Sequence, residues 1–235
     1  MRIAVFSDVH ANLPAFEAFL KDLDSKKPDA VYCLGDLVGY NVWPNEIIAE
    51  IRRRGVATIA GNHDLKIKTL SDSSGKNHAY HIIDEGARVY LKALPAHIRL
   101  EYQLNESLLN MLLVHGSPRS VEEYMLEDLR EEYVLDLLGQ ASADILFCGH
   151  SHKPYHRVIK AAEGVKHIIN TGSVGKPKDG DPRGCYVLLT LDDKFDKANM
   201  QVDFVRFAYD VERAAKAVEE SPLPDQFADQ LRKAY

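Results

Sequence analysis

An α/β fold with a parallel core is what this sequence predicts, and three features lead to it. Five short apolar runs, at residues 3–6, 30–34, 56–60, 111–114 and 145–148, are spread over the first two-thirds of the chain. Runs of four to six residues, bounded by polar residues or Gly, read as strands buried on both faces. Stretches with helical spacing of apolar residues alternate with them, the order expected of βαβ units. Beyond His152 the alternation stops. Runs at 165–170, 185–191 and 202–207 there read as strands joined by Gly- or Asp-rich turns.

The helices follow from spacing and caps. Leu13, Phe16, Phe19, Leu20 and Leu23 fall on one helical face, Asn12 can cap that helix, and Pro14 is tolerated in its first turn. Ile47, Ile48 and Ile51 mark a second helix behind Pro44. Residues 78–94 and 121–138 carry two further helical patterns, and the acidic run from Glu122 to Glu132 reads as the solvated face of the latter. The loop 172–184 is too polar for a core element. Asp210 can cap a last helix through Val211, Ala214, Ala215 and Val218. Ser221-Pro222-Leu223-Pro224 breaks it, and Phe227 and Leu231 suggest one more docking turn. With no repeat, low-complexity tract or obvious linker, a single domain over residues 1–235 is expected.

Composition removes several classes of function. The 235 residues hold 29 Lys and Arg against 35 Asp and Glu, a formal charge of −6. Duplex nucleic acid demands a basic face that this balance does not supply. No run approaches the ~18 apolar residues of a membrane helix. The apolar stretch before Asp8 is too short for a signal peptide, so the cytoplasm is the expected location. Cys33, Cys148 and Cys185 are odd in number, lie in or beside apolar runs and lack zinc-motif spacing. They read as reduced core residues.

The chemistry is concentrated in five motifs, each directly after one of the five apolar runs: Asp8-Val9-His10, Gly35-Asp36, Gly61-Asn62-His63-Asp64, His115-Gly116 and Gly149-His150-Ser151-His152. Loops after the carboxyl ends of strands line the ligand crevice of an open α/β sheet. The five predicted strands therefore deliver carboxylates, an amide and five of the chain's ten histidines to one rim. Imidazole, carboxylate and amide oxygen suit Mn, Fe, Zn, Ni or Co, and the absence of thiolate argues against a structural zinc site. The donors outnumber what one ion uses, so two divalent ions sharing a carboxylate is the natural arrangement. Glycines beside three of the motifs let backbone approach closely.

In this order the motifs resemble those of the calcineurin-like metallophosphoesterases: D-x-H, G-D, G-N-H-[DE], H and G-H-x-H. The match spans residues 8–152, and residues 35–40 and 182–184 look like the compact bacterial and archaeal phosphodiesterase branch. The resemblance implies a four-layer α-β-β-α sandwich of two mixed sheets. It also implies a metal-dependent phosphoesterase acting on a small phosphoester or nucleotide-like substrate. Carried over, Asp8, His10 and His152 hold one ion, Asn62, His115 and His150 the other, and Asp36 bridges them. His63 protonates or hydrogen-bonds the leaving oxygen, with Asp64 fixing its ring.

Departures from relatives matter as well. Protein Ser/Thr phosphatases and diadenosine-tetraphosphatase-like enzymes carry Arg shortly after Gly-Asp and just before Gly-Asn-His. Here those stretches read Val38-Gly39-Tyr40 and Ile59-Ala60. A monoester dianion profits from forked guanidinium donors, so their absence favours a phosphodiester or another less charged phosphoester. Lys176, Lys178 and Arg183 on the later loop offer other cations. Asn12 is a candidate substrate-phosphate donor as well as a cap, and Tyr40 and Trp43 are candidate pocket walls. Two alternatives accompany this reading: a phosphomonoesterase (protein or nucleotide phosphatase) on the same site, and a non-catalytic scaffold of the same fold. The complete ligand set disfavours the scaffold.

Overall fold

Strand β1 (Arg2–Phe6) takes the centre of a five-stranded sheet because residues 3–6 are buried on both of its faces. β2 (Ala30–Cys33) and the two-residue β3 (Ala57–Thr58) follow in parallel on one side. On the other side β9 (Gly184–Thr190) lies antiparallel to β1 and β10 (Val202–Phe207) antiparallel to β9, giving the order β10-β9-β1-β2-β3. A second sheet has the order β4-β5-β6-β8-β7. It comprises β4 (His97–Leu104), β5 (Ser107–Val114), β6 (Ile145–Cys148), β7 (Tyr155–Ala161) and β8 (Gly164–Asn170), with β5, β6 and β8 parallel. The computed structural model describes residues 1–68, 75–104, 107–162, 164–191 and 196–235.

The two sheets pack face to face. Ile3, Val5, Val187 and Leu189 of the first meet Leu109, Met111, Ile145, Phe147 and Ile169 of the second. Alternation along each strand then turns the other residues outward. Ala4, Phe6, Tyr186 and Leu188 pack beneath α1 (Leu13–Lys26), α2 (Pro44–Arg54) and α5 (Glu85–Ala93). Leu112, Leu146 and Ile168 pack beneath α6 (Glu131–Gln140). Helix–sheet–sheet–helix layering is thus the expected four-layer sandwich. Asn12 and Asp210 cap α1 and α7 (Val211–Glu219) by accepting from Ala15 and Arg213 backbone N–H groups. The docking turn at Phe227 and Leu231 is a full helix, α8 (Gln226–Lys233), packed on α7. Among the described residues, no helix is long and apolar enough to cross a membrane.

Several local expectations are corrected. β4 and β7 are edge strands whose half-exposed residues leave no continuous apolar run. Residues 30–32 of β2 are only partly buried. The pattern over 78–94 divides into α4 (His78–His81) and α5, with Asp84 capping the second. Residues 121–130 are not helical: Met125 is buried with the α6 core while Tyr124 turns outward, so helical spacing arose from two unrelated anchors. The acidic run therefore does not share one helix face. The loop 172–184 is not wholly peripheral, since its first six residues are buried. The Asp-rich turn after Leu191 lies outside the described residues.

Candidate metal centre

The carboxyl ends of β1, β2, β5 and β6, with the turn from β3 into α3 (Asn62–Lys66), converge over the seam between the sheets. Asp8, His10, Asp36, His150 and His152 all have φ between +50° and +63°. This left-handed region is uncommon for residues other than Gly and costs of order 1–3 kcal/mol each, although Asp and His tolerate it better than most. It bends the chain as each strand ends and turns these side chains into the crevice. Two glycines make the room. A Cβ on Gly61 would lie 2.1 Å from Asp36 Oδ1, and one on Gly149 would lie 2.6 Å from Asp8 Oδ2.

Three clusters of donor atoms result, each within 4.8 Å: Asp8–His10–His152, His10–Asp36–His63 and Asp36–His115–His150. All of these residues are buried. Asn62 joins the last cluster, its Oδ1 lying 3.1 Å from His115 Nε2. The surrounding hydrogen bonds fix which atoms face inward. His10 Nδ1 faces Val38 O at 3.0 Å, His115 Nδ1 faces Leu34 O at 2.9 Å, and His152 Nδ1 faces Lys176 O. A carbonyl only accepts, so each Nδ1 carries the proton, and in the neutral ring each Nε2 is a lone pair.

Those lone pairs meet other lone pairs. His10 and His152 bring their Nε2 atoms within 3.2 Å of each other. Asp8 Oδ2 accepts from the His150 backbone N–H, but Oδ1 has no hydrogen bond and lies 3.1 Å from His152 Nε2. Asp36 Oδ1 accepts from His63 N–H. Its Oδ2 has no hydrogen bond and lies between the clusters, 3.6 Å from His10 Nε2 and 3.4 Å from His115 Nε2. Buried acceptors aimed at one another repel unless a cation sits among them. The donor set therefore fits divalent metal ions, with Asp36 Oδ2 disposed to be shared.

Titration follows the same electrostatics. Burial pushes Asp36 up, but the facing imidazoles, His115 and His63 foremost, outweigh it and hold the carboxyl below its ordinary range. Burial pulls His115 down, yet the Asp36 carboxylate wins and lifts it to about 9. His152 is pushed down to about 4, chiefly by burial. Burial also holds His63 well below the usual imidazole range.

Two expected roles are corrected. Asp64 does not orient His63: its carboxylate accepts from the backbone N–H groups of Asp36, Leu37 and Gly61 at 2.7–3.0 Å, clamping two of the ligand loops together. Asn12 spends both side-chain atoms on the fold. Its Oδ1 caps α1, while Nδ2 donates to Gly175 O at 2.7 Å and, more weakly, to Tyr209. Trp43 packs against Arg213, whereas Tyr40 lies edge-on to His10, with ring centroids 4.8 Å apart.

Sequence reasoning missed the residue that does hold His63. Tyr80, buried on α4, hydrogen-bonds His63 Nδ1, and a Cβ on Gly39 would lie 2.5 Å from that nitrogen. Nothing in the local sequence marks Tyr80. Tyr124 was missed for a different reason: the loop it lies on reads as helix. Half exposed, it stacks on His150 at 4.1 Å. Lys176 is 2% exposed, with Nζ 4.5 Å from the Tyr40 ring centroid, and burial pushes it down to about 7.

Comparison with known proteins agrees with this geometry. The calcineurin-like phosphoesterase superfamily domain matches residues 1–194. An uncharacterized protein of Methanocaldococcus jannaschii is 31% identical over a 251-residue alignment covering 97% of this chain and 96% of the relative. A metallophosphoesterase from Sphaerobacter thermophilus superposes with a TM-score of 0.78 at 28% identity, covering 100% of this chain and 99% of that one. A hypothetical protein of Pyrococcus horikoshii gives a TM-score of 0.79 at 20% identity, covering 100% and 98%, a likeness of fold.

Proposed function

This chain belongs to the calcineurin-like phosphoesterase superfamily, and from that premise we propose that it hydrolyses a small, nucleotide-like phosphodiester with two divalent transition-metal ions as cofactors. Residues 1–235 act as one domain in this reading. One observation carries it: the Nε2 atoms of His10, His115 and His152, each with its Nδ1 committed to a backbone carbonyl, converge on the orphaned oxygens of Asp8 and Asp36. Asp8, His10 and His152 would hold one ion, and Asn62, His115 and His150 the other, with Asp36 between them. Bound there, such ions supply a water of lowered pKa and neutralise charge on the phosphoryl oxygens.

The rest falls to the chain's own side chains. Burial pushes the Tyr80 phenol up, so it stays protonated and can donate to His63 Nδ1. The ring proton of His63 then resides on Nε2, where it can hydrogen-bond the leaving oxygen and pass to it as Nδ1 takes up the Tyr80 phenol proton. The preference for a diester rests on charge. Val38-Gly39-Tyr40 and Ile59-Ala60 bring no guanidinium beside Asp36 or Asn62, and Arg183 is paired with Asp181. A diester's single charge asks less of such donors than a monoester's two. With one metal loaded, kcat/KM for bis-p-nitrophenyl phosphate should exceed that for p-nitrophenyl phosphate by at least about 10-fold, or roughly 1.4 kcal/mol. A monoester preference would promote the phosphatase alternative.

A further inference from the structure

Lys176 is a buried lysine whose amine has no ion-pair partner among the described residues. Among the described residues its Nζ makes no hydrogen bond or ion pair, and its charge meets only the face of Tyr40. An ammonium removed from water is retained only where something compensates it, and an aromatic face compensates it in part. Its backbone is fixed with care. Lys176 N–H donates to Ser173 Oγ at 2.8 Å, that hydroxyl donates to Asp8 O at 2.8 Å, and Lys176 O accepts from His152 Nδ1. Just before it, Gly175 N–H donates to Asp8 O at 3.0 Å, and a Cβ there would lie 1.8 Å from Val9 O. The turn is thus locked to the strand end that carries Asp8 and His10. Two residues on, half-buried Lys178 donates its backbone N–H to His152 O at 3.4 Å and also forms no ion pair among the described residues. Loop 172–184 therefore brings to the rim of the candidate metal centre two lysines, two positions apart, with no ion-pair partner among the described residues.

Tyr40 decides which group they serve. Its ring lies 4.8 Å from His10 and 4.7 Å from His63 by centroids, with the Lys176 ammonium against the same ring. The Lys176 amine therefore shares one aromatic ring with both imidazoles while making no ion pair with Asp8 or Asp36. A single negative charge at the cleaved group also leaves two ammonium groups without a match. We propose that Lys176 and Lys178 form an anion subsite for a second phosphate of the substrate, one that is not cleaved. The substrate is then a phosphodiester bearing a further phosphate, with Lys176 and Lys178 selecting for it.

This rests on the hydrolase reading, and a binding measurement separates the two. Calorimetry on Mn²⁺-loaded protein compares thymidine 3′,5′-bisphosphate with thymidine 5′-monophosphate. Wild type should bind the bisphosphate at least about 10-fold tighter. Lys176→Met should abolish that margin at unchanged manganese content, and Lys178→Met should cut it about threefold. The second side chain is half-exposed, so its variant keeps the test alive if Lys176→Met does not fold. No margin in wild type, or a margin intact in the folded variants, overturns the subsite. A lysine-dependent margin in a protein that turns over no phosphoester would uphold the subsite and reject the hydrolase. Turnover with no margin would do the reverse.

Discussion

Two histidine pairs in this molecule look alike and behave as opposites. His10 and His152 set Nε2 against Nε2 at 3.2 Å, with ring centroids 4.9 Å apart and planes at 28°. His156 and His167 set Nε2 against Nδ1 at 2.9 Å, with centroids 5.2 Å apart and planes at 27°. The outer nitrogens tell them apart. In the second pair His167 Nε2 faces Lys197 O at 2.6 Å and so carries its proton, leaving Nδ1 to accept from His156 Nε2–H. That pair is satisfied as it stands. In the first pair both outer nitrogens donate to carbonyls, and both inner ones are lone pairs beside an orphaned carboxylate oxygen. Proximity of imidazoles is thus a poor marker of a metal site. The acceptor behind each ring decides what its front face can bind.

The sharpest way to break this contrast is one Gln substitution in each pair. His152→Gln should fall short of the full metal complement and lose at least about 10²-fold in kcat, or about 2.7 kcal/mol. His156→Gln, which keeps a donor toward His167, should hold metal content and turnover at wild-type levels. Elemental analysis and steady-state kinetics read both. Full metal in the first variant, or lost metal in the second, would erase the distinction.

His63 sharpens the comparison from the middle, because a phenol rather than a carbonyl stands behind its outer nitrogen. His63→Ala should retain metal and lose little on a p-nitrophenyl ester. On an alkyl or nucleotide ester, where the leaving oxygen needs a proton, it should lose roughly 10²–10⁴-fold. Tyr80→Phe should show the same trend at roughly 10-fold. Pre-steady-state kinetics must show that chemistry limits both esters. An equal loss across leaving groups, with metal retained, leaves His63 an electrostatic role only.

The smallest effect concerns acid stability. Burial, then the neighbouring His167, pushes His156 down to about 4, against an ordinary value near 6.5. Below pH 6.5 the unfolded chain takes up a proton there that the folded chain refuses. Unfolding therefore binds protons, and stability is lost as pH falls from 6.5 toward 4. His156→Gln removes this term. For a half-buried group, discounted for screening, the gain at pH 5 relative to pH 7.5 should be about 1 kcal/mol, or some 2–4 °C in Tm. A Tm difference from wild type that is the same at both pH values would show that the folded pair is protonated.

Much of the candidate site was legible because its chemistry is local. Each ligand motif immediately follows a strand, and strand ends are where an α/β sheet gathers function. Caps such as Asn12 and Asp210 were legible for the same reason, since a cap and its N–H lie three residues apart. What escaped is non-local or weakly patterned. Tyr80 meets His63 across 17 residues, and Asp64 turns away because three backbone donors outcompete one imidazole. β4 did carry a signal, strict alternation of exposed and half-buried residues from His97 to Gln103, which a search for continuous apolar runs passes over. Lys176 reads as an ordinary loop lysine until Gly175 is seen wedged against Val9.

The seam between the sheets gives the centre one further property. Asp8, His10, Asp36 and Asn62 come from the first sheet, whereas His115, His150 and His152 come from the second. Neither sheet alone owns a complete ligand set, so a chain with only one sheet assembled has no place to capture an ion. Metal uptake by the proposed ligand set would then work as a checkpoint on assembly. An ion bound there would add a tie between two layers already joined by apolar packing and by the His115–Leu34 and His150–Asp8 hydrogen bonds, and would resist their sliding past one another.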